Sequence, residues 1–264
     1  MKKILVVLLI TLSLQACKKT DDSIDFPPEI DQVMNDLTSS FDTLNADLAG
    51  NAAAIAMNPA DTTGIRMKLH EMYNRTSFVV EFAYVSPEKI LQIVEPPLYY
   101  PSQGTDISHQ DHIVKIFETK QPVLSQSFEV VEGYNAVIDM YPILDNNDIL
   151  GTVAGIFPPH VVLGRIIAPY VSGETFEIWV MESGGNVLYD QDAEEIGLNV
   201  ITDPLYADFP ELIAAAQRID AEESGETTYS FYQTGTNNKV VKKTYWKTFK
   251  LLDNQWKIIW VIPI

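Results

Sequence analysis

The chain has 264 residues and one cysteine, and sets 18 Lys plus Arg against 36 Asp plus Glu, a formal charge of −18. A surface this acidic repels phosphate backbones and anionic headgroups, which excludes nucleic acid as a partner. A lone cysteine excludes an intramolecular disulfide, so the fold must be held by its packed core.

In chain order, Lys2 and Lys3 precede an apolar run from Ile4 to Leu14 that ends in Leu14-Gln15-Ala16-Cys17. At about 1.5 Å per helical residue the run reaches only about 17 Å, short of the roughly 30 Å hydrocarbon core. It is predicted to be a signal peptide with a lipobox over residues 1–17. Cys17 is then the lipidated residue that holds the exported chain on the extracytoplasmic side of a membrane. Loss of Lys2 and Lys3 with the leader takes the charge to −20, so the membrane is reached through the lipid and not by electrostatics. Residues 18–27 are polar, acidic and free of any hydrophobic period, as suits a tether.

From about residue 28 to 56 the spacing predicts one helix. Pro28 suits its first turn, Glu29 and Asp31 favour its positive end, and Ile30, Val33, Leu37, Phe41, Leu44, Leu48 and Ile55 recur mostly three and four apart. Its length of about 42 Å exceeds one small domain, so it is expected to lie along two. The same stripe could instead serve as a homodimer seam.

Strands are predicted over Phe78 to Val85, Ile90 to Val94, Val123 to Val131, Asn135 to Leu144 and Leu150 to Phe157, with a helix at about 109–119. A second set follows at Phe176 to Met181, Val187 to Asp190, Thr227 to Gln233, Lys239 to Leu252 and Trp256 to Ile262, with a helix over Pro210 to Asp220. Ser183-Gly184-Gly185-Asn186 reads as a hairpin turn, because these residues tolerate positive φ. Ile143-Leu144-Asp145-Asn146 and Leu251-Leu252-Asp253-Asn254 share a pattern 108 residues apart, and Gln126-Ser127-Phe128 and Tyr229-Ser230-Phe231 begin comparable positions. Duplication of an antiparallel α+β unit accounts for both matches. About 245 exported residues are enough for two ordinary cores.

The stretches Lys120 to Ser125, Gly133 to Ile138, Tyr141 to Asp145 and Leu150 to Ala154 resemble the closing half of a distal Cache unit, an extracytoplasmic relative of the PAS fold. Met181 to Asp190 and Glu195 to Asn199 look like the opening hairpin of a proximal unit, and Gln255 to Ile258 like its last strand. The resemblance implies an α+β fold in which a long N-terminal helix (28–57) packs along two stacked PAS-like antiparallel units, distal (58–160) and proximal (161–264). It also implies binding of a small organic molecule, such as an amino acid, carboxylate, amine or nucleoside-like compound, in the distal unit. Amino-acid-binding members carry an Arg-x-Trp-Tyr type cluster where this chain has Ser108-His109-Gln110-Asp111-His112, and Gly155 stands about where they place an aspartate. Most members report across the membrane, which implies a separate membrane signalling or transport partner for this chain.

Strand alternation then selects ligand contacts. Along Ala136 to Tyr141 the wholly apolar set Ala136, Ile138 and Met140 suits the long helix, which leaves Asp139 and Tyr141 toward the cavity. There a carboxylate could accept from an amine and a ring could cover a cation. Tyr84, Tyr99, Tyr100 and Gln126 are assigned to the pocket rim, and His109 to the helix start beside it. His109 and His112 lie three apart but lack a clear third ligand, and Asp145 to Asp148 lacks the glycine and terminal glutamate of a calcium loop, so no metal site is assigned. No Gly-x-Ser-x-Gly elbow, His-Glu-x-x-His, phosphate loop or cofactor motif is present. A ligand-binding sensor is therefore expected, with an adaptor lipoprotein lacking a ligand as the alternative and a hydrolase further behind.

Overall fold

A computed structural model describes residues 24–264. The leader, Cys17 and most of the tether lie outside the described residues. Helix α1 spans Pro28–Ala56, with Pro at its first position and Glu29 and Asp31 in its first turn. Every residue of its apolar stripe is buried. Two elements that strand-and-turn reasoning did not anticipate follow the sheets' edges: α2 (Thr62–Arg75), capped by the Asp61 side chain, and α4 (Pro159–Val171).

The first sheet is built from β1 (Glu81–Val85), β2 (Leu91–Glu95), β3 (Val123–Leu124), β4 (Phe128–Glu129), β5 (Asn135–Asp145) and β6 (Asp148–Phe157), in the order β2-β1-β6-β5-β3, with β4 also on β5. Helix α3 (Asp111–Thr119) lies between β2 and β3 in sequence. The second sheet uses β7 (Glu177–Glu182), β8 (Val187–Tyr189), β9 (Ser224–Tyr232), β10 (Lys239–Leu251) and β11 (Asn254–Pro263), in the order β8-β7-β11-β10-β9, with α5 (Pro210–Ala221) before β9. The two orders are the same, since each sheet sets its first strand between its second and its last. The Gly184-Gly185 turn joins β7 to β8 at φ +91° and +95°, where a Cβ would be strained.

Register refines the repeat. The terminal pairs of the equivalent hairpins are Asp145 with Asp148 and Leu251 with Asn254, an offset of 106 residues, so the shared apolar-apolar-Asp-Asn pattern falls two residues out of structural alignment. Phe128 pairs with Ala136 in the first unit as Tyr229 pairs with Lys242 in the second. The single strand expected over Val123 to Val131 is broken at Ser125-Gln126-Ser127.

The core is divided by face rather than by unit. The α1 stripe, the α1-facing residues of both sheets and part of α4 form one shared core. Outer clusters then close each unit separately, one beneath α3 and one beneath α5. Because the α1 stripe is spent inside this shared core, it is not available as a homodimer seam.

Candidate ligand-binding site

Strand alternation sends Phe82 and Tyr84 of β1 toward α1 and leaves Glu81, Ala83 and Val85 on the outer face beneath α3. On β5, Val137 and Ile143 join the α1 core, while Ala136, Ile138 and Met140 join the outer cluster. The outer face encloses a slot of about 30 Å³, lined by Glu81, Ala83, Ile138, Met140, Glu132 and His112 among others. That volume admits about two water-sized groups.

Polar groups without partners define the chemistry of this slot. Three lining atoms, Glu81 Oε2, His112 Nε2 and Glu132 Oε1, are buried and make no hydrogen bond among the described residues, and the same holds for the hydroxyl of Tyr134, which lies beside the slot and does not line it. Glu81 is 1% exposed, and burial, reinforced by the nearby Glu132 charge, pushes its carboxyl up to about 9. Burial holds His112 down to about 4, so its imidazole is neutral; the ring packs 5.1 Å from that of Phe128. The Tyr134 ring stands 6.2 Å from Tyr99, and burial followed by the Glu81 charge raises its hydroxyl above the usual phenol range. Leaving a buried polar group unpaired costs about 1–3 kcal/mol, so a cluster of them marks either stored strain or a missing partner.

Gln110 and His112 also line a second, larger groove of about 630 Å³ at the junction of the two units. Its other walls are His109, Lys115, the β3–β4 break and the second unit's Ser183 and Asp253–Gln255. Slot and groove thus share two lining residues.

Residues 39–159 match the family model described as HK/GC/Chemotaxis protein-like, sensor domain. This sensor-domain match runs from the middle of α1 to just beyond β6, and so contains the whole slot. Among solved structures, the chain is similar to an extracellular ligand binding receptor from Desulfohalobium retbaense DSM5692, with TM-score 0.73, 26% identity, and coverage of 90% of this chain and 40% of that one. The chain therefore spans less than half of that receptor's length. It is also similar to the ligand binding domain of the Pseudomonas aeruginosa PAO1 amino acid chemoreceptor PctC, solved with GABA, at TM-score 0.65 and 13% identity over 89% of this chain and 96% of that one. The periplasmic sensory domain of the Campylobacter jejuni chemoreceptor Tlp1 gives TM-score 0.61 and 11% identity over 89% and 92%. The last two likenesses establish the fold, a long helix followed by two sheets as in Cache ligand-binding domains. Among curated proteins nothing matches.

Most residues assigned to the pocket from the sequence lie away from this slot. Asp139 and Tyr141 face α1: Asp139 pairs with Gly155, whose Cβ would meet Leu44 of α1 at 3.5 Å, and Tyr141 packs on the α1 core. The assignment was inverted because both faces of β5 are covered, and the all-apolar face lies under α3. Gly155 is on the α1 face too, and so is no pocket position. Tyr84 also faces α1 and donates its hydroxyl to the Leu150 carbonyl at 3.1 Å. Tyr100 donates to Glu95 Oε1 at 2.5 Å, within a cluster where Arg66 and His70 of α2 hold the same carboxylate. Burial alone would raise Glu95, but these hydrogen bonds keep it below the usual carboxylate range.

Gln126 donates to the Ser183 carbonyl at 3.4 Å, and it and exposed His109 line the junction groove. Tyr99 is outside the slot lining: its ring packs against Tyr134, and both line a separate cleft with Asn135 and His160. Glu81, Glu132 and His112 are polar lining of the slot that sequence reasoning did not assign, and Tyr134 lies beside it. Glu81 was the legible one, as a charge sharing a strand face with Ala83 and Val85.

Proposed function

We propose that this chain is a lipid-anchored extracytoplasmic sensor module that binds a small organic molecule in the slot beneath α3 and presents its ligand-bound form to a membrane partner. The observation that carries the binding reading is the convergence of four unpartnered polar atoms, on Glu81, His112, Glu132 and Tyr134, on or beside an apolar floor within the sensor-matched segment. A small set of oriented polar groups over apolar lining is the usual composition of a ligand site. The anchoring reading rests on the Leu14-Gln15-Ala16-Cys17 motif.

A thermal-shift panel of small amines, carboxylates and nucleosides tests the binding reading. A true ligand at a hundredfold excess over its Kd stabilises the folded state by about 2.7 kcal/mol and raises the midpoint accordingly. The small size of the slot favours a second reading, an adaptor without a ligand, and a panel in which nothing moves the midpoint would decide for it. For the anchor, Cys17→Ser should abolish incorporation of radiolabelled palmitate and release the protein from the membrane fraction. Labelling that persists in the variant would sink the lipoprotein assignment.

A further inference from the structure

The two units solve the same electrostatic problem differently. Glu81 pairs with Ile156 of β6, which pairs with Ile138 of β5; in the second unit Glu177 pairs with Val261 of β11, which pairs with Thr244 of β10. Ile138 and Thr244 each lie seven residues before the last paired residue of their hairpin strand, Asp145 and Leu251, so Glu81 and Glu177 occupy one structural position. Both open the first strand of their sheet. In the second unit Lys242 meets this glutamate at 2.8 Å, with its own side chain only 5% exposed. Lys242 lies nine residues before Leu251, and the residue nine before Asp145 is Ala136, whose side chain ends at Cβ. The first unit therefore keeps the buried carboxylate and lacks the ammonium that answers it.

Nothing else in the first unit takes that place. The slot is lined by no Lys or Arg among the described residues, and Glu132 adds a second carboxylate. We propose that the slot binds a primary alkylammonium group with no carboxylate on its first carbon, its –NH₃⁺ on Glu81 where the second unit places Lys242. The inference rests on the binding role proposed above and names the ligand class for that site. The slot's volume of about 30 Å³ suits an ammonium and the first carbon behind it. An alkyl tail would leave past Gln110 and His112 into the junction groove, which both residues also line. A zwitterionic α-amino acid, with its carboxylate on the carbon that bears the ammonium, would bring that carboxylate into a slot that holds two acidic side chains and no cation, a repulsive pairing. Glu81 gives up its proton when it takes the ammonium, with Glu132, Tyr99, Tyr134 and neutral His112 as the titratable groups around it; amine affinity thus rises with pH across the neutral range.

The experiment compares n-butylamine, butyrate, α-aminobutyrate and adenosine by thermal shift on the wild type, Glu81→Gln and Ala136→Lys. Butylamine is expected to raise the wild-type midpoint by about 5–10 °C at a hundredfold excess over Kd, and the other three to leave it unmoved. Glu81→Gln should lose the butylamine response while keeping its far-UV circular dichroism. Ala136→Lys, which supplies the ammonium internally, should no longer respond; if that variant does not fold, Glu81→Gln decides alone. A response to butyrate, α-aminobutyrate or adenosine but not to butylamine overturns the amine inference and leaves the sensor reading standing. Silence from all four, and from the wider panel, overturns both. A butylamine response undiminished in Glu81→Gln also overturns the inference.

Discussion

Asp139 is fully buried, and neither carboxylate oxygen has a hydrogen-bond partner among the described residues. Burial, with the Asp253 charge adding to it, pushes its carboxyl up to about 8. The native state therefore keeps a proton that the unfolded chain releases near pH 4. Its contribution is fully present below that pH and is lost as pH rises toward about 8, with a slope of up to about 1.4 kcal/mol per unit. Glu81 acts in the same direction up to about 9. His112 acts oppositely, because an imidazole held down to about 4 costs stability as pH falls below about 6.5. Asp139→Asn should flatten the fall in unfolding free energy between pH 5 and 8, measured by urea titration, and raise stability at pH 8. Parallel pH profiles for variant and wild type would show that Asp139 is ionised in the native state.

At the scale of elements, α1 joins the units through one aromatic side chain above all. The Phe41 ring lies 5.8 Å from Phe78 and 5.6 Å from Phe157 in the first unit, and 5.6 Å from Trp256 and 6.5 Å from Phe249 in the second. Phe41→Ala should cost about 3–5 kcal/mol, and because the cavity opens in a core common to both sheets, the loss should appear in a single unfolding transition. Two separate transitions, with one unit unaffected, would contradict the shared core. The α1 stripe was legible as a helix because its 3-and-4 spacing fits one secondary structure, although core and homodimer seam were both open for its apolar face. The helix α2 buries only Ile65, Leu69 and Met72, too few to stand out from a loop. The β-branched Val161, Val162, Ile166 and Ile167 of α4 argue locally for strand, although they lie in a helix. The faces of β5 could not be told apart for a related reason: alternation separates two sets of residues, but a strand covered on both sides gives no sign of which cover is which.

Over the whole molecule, the duplicated units are not interchangeable. In the second, a continuous β9 and the Lys242–Glu177 pair close the outer face from within. In the first, the corresponding strand breaks at Ser125-Gln126-Ser127, beside the junction groove, and the carboxylate of Glu81 is left without a cation. The asymmetry could not be read from the short repeated patterns, because their best alignment is two residues off the structural one. It emerges only when strand pairing is counted from the hairpin ends.

Three of the bonds that fasten the same break to the second unit are of one kind. The Leu124 amide donates to Asp253 at 3.0 Å, the Ser127 amide to Glu182 at 3.0 Å, and Asn254 donates to the Ser125 carbonyl at 2.8 Å. In all three the first unit offers main chain and the second offers side chain. Any residue other than proline at 124 or 127 preserves the donated amides, so mutational drift at those positions leaves these three bonds nearly untouched. Their upkeep falls on three positions, 182, 253 and 254, far along the chain from the segment they hold.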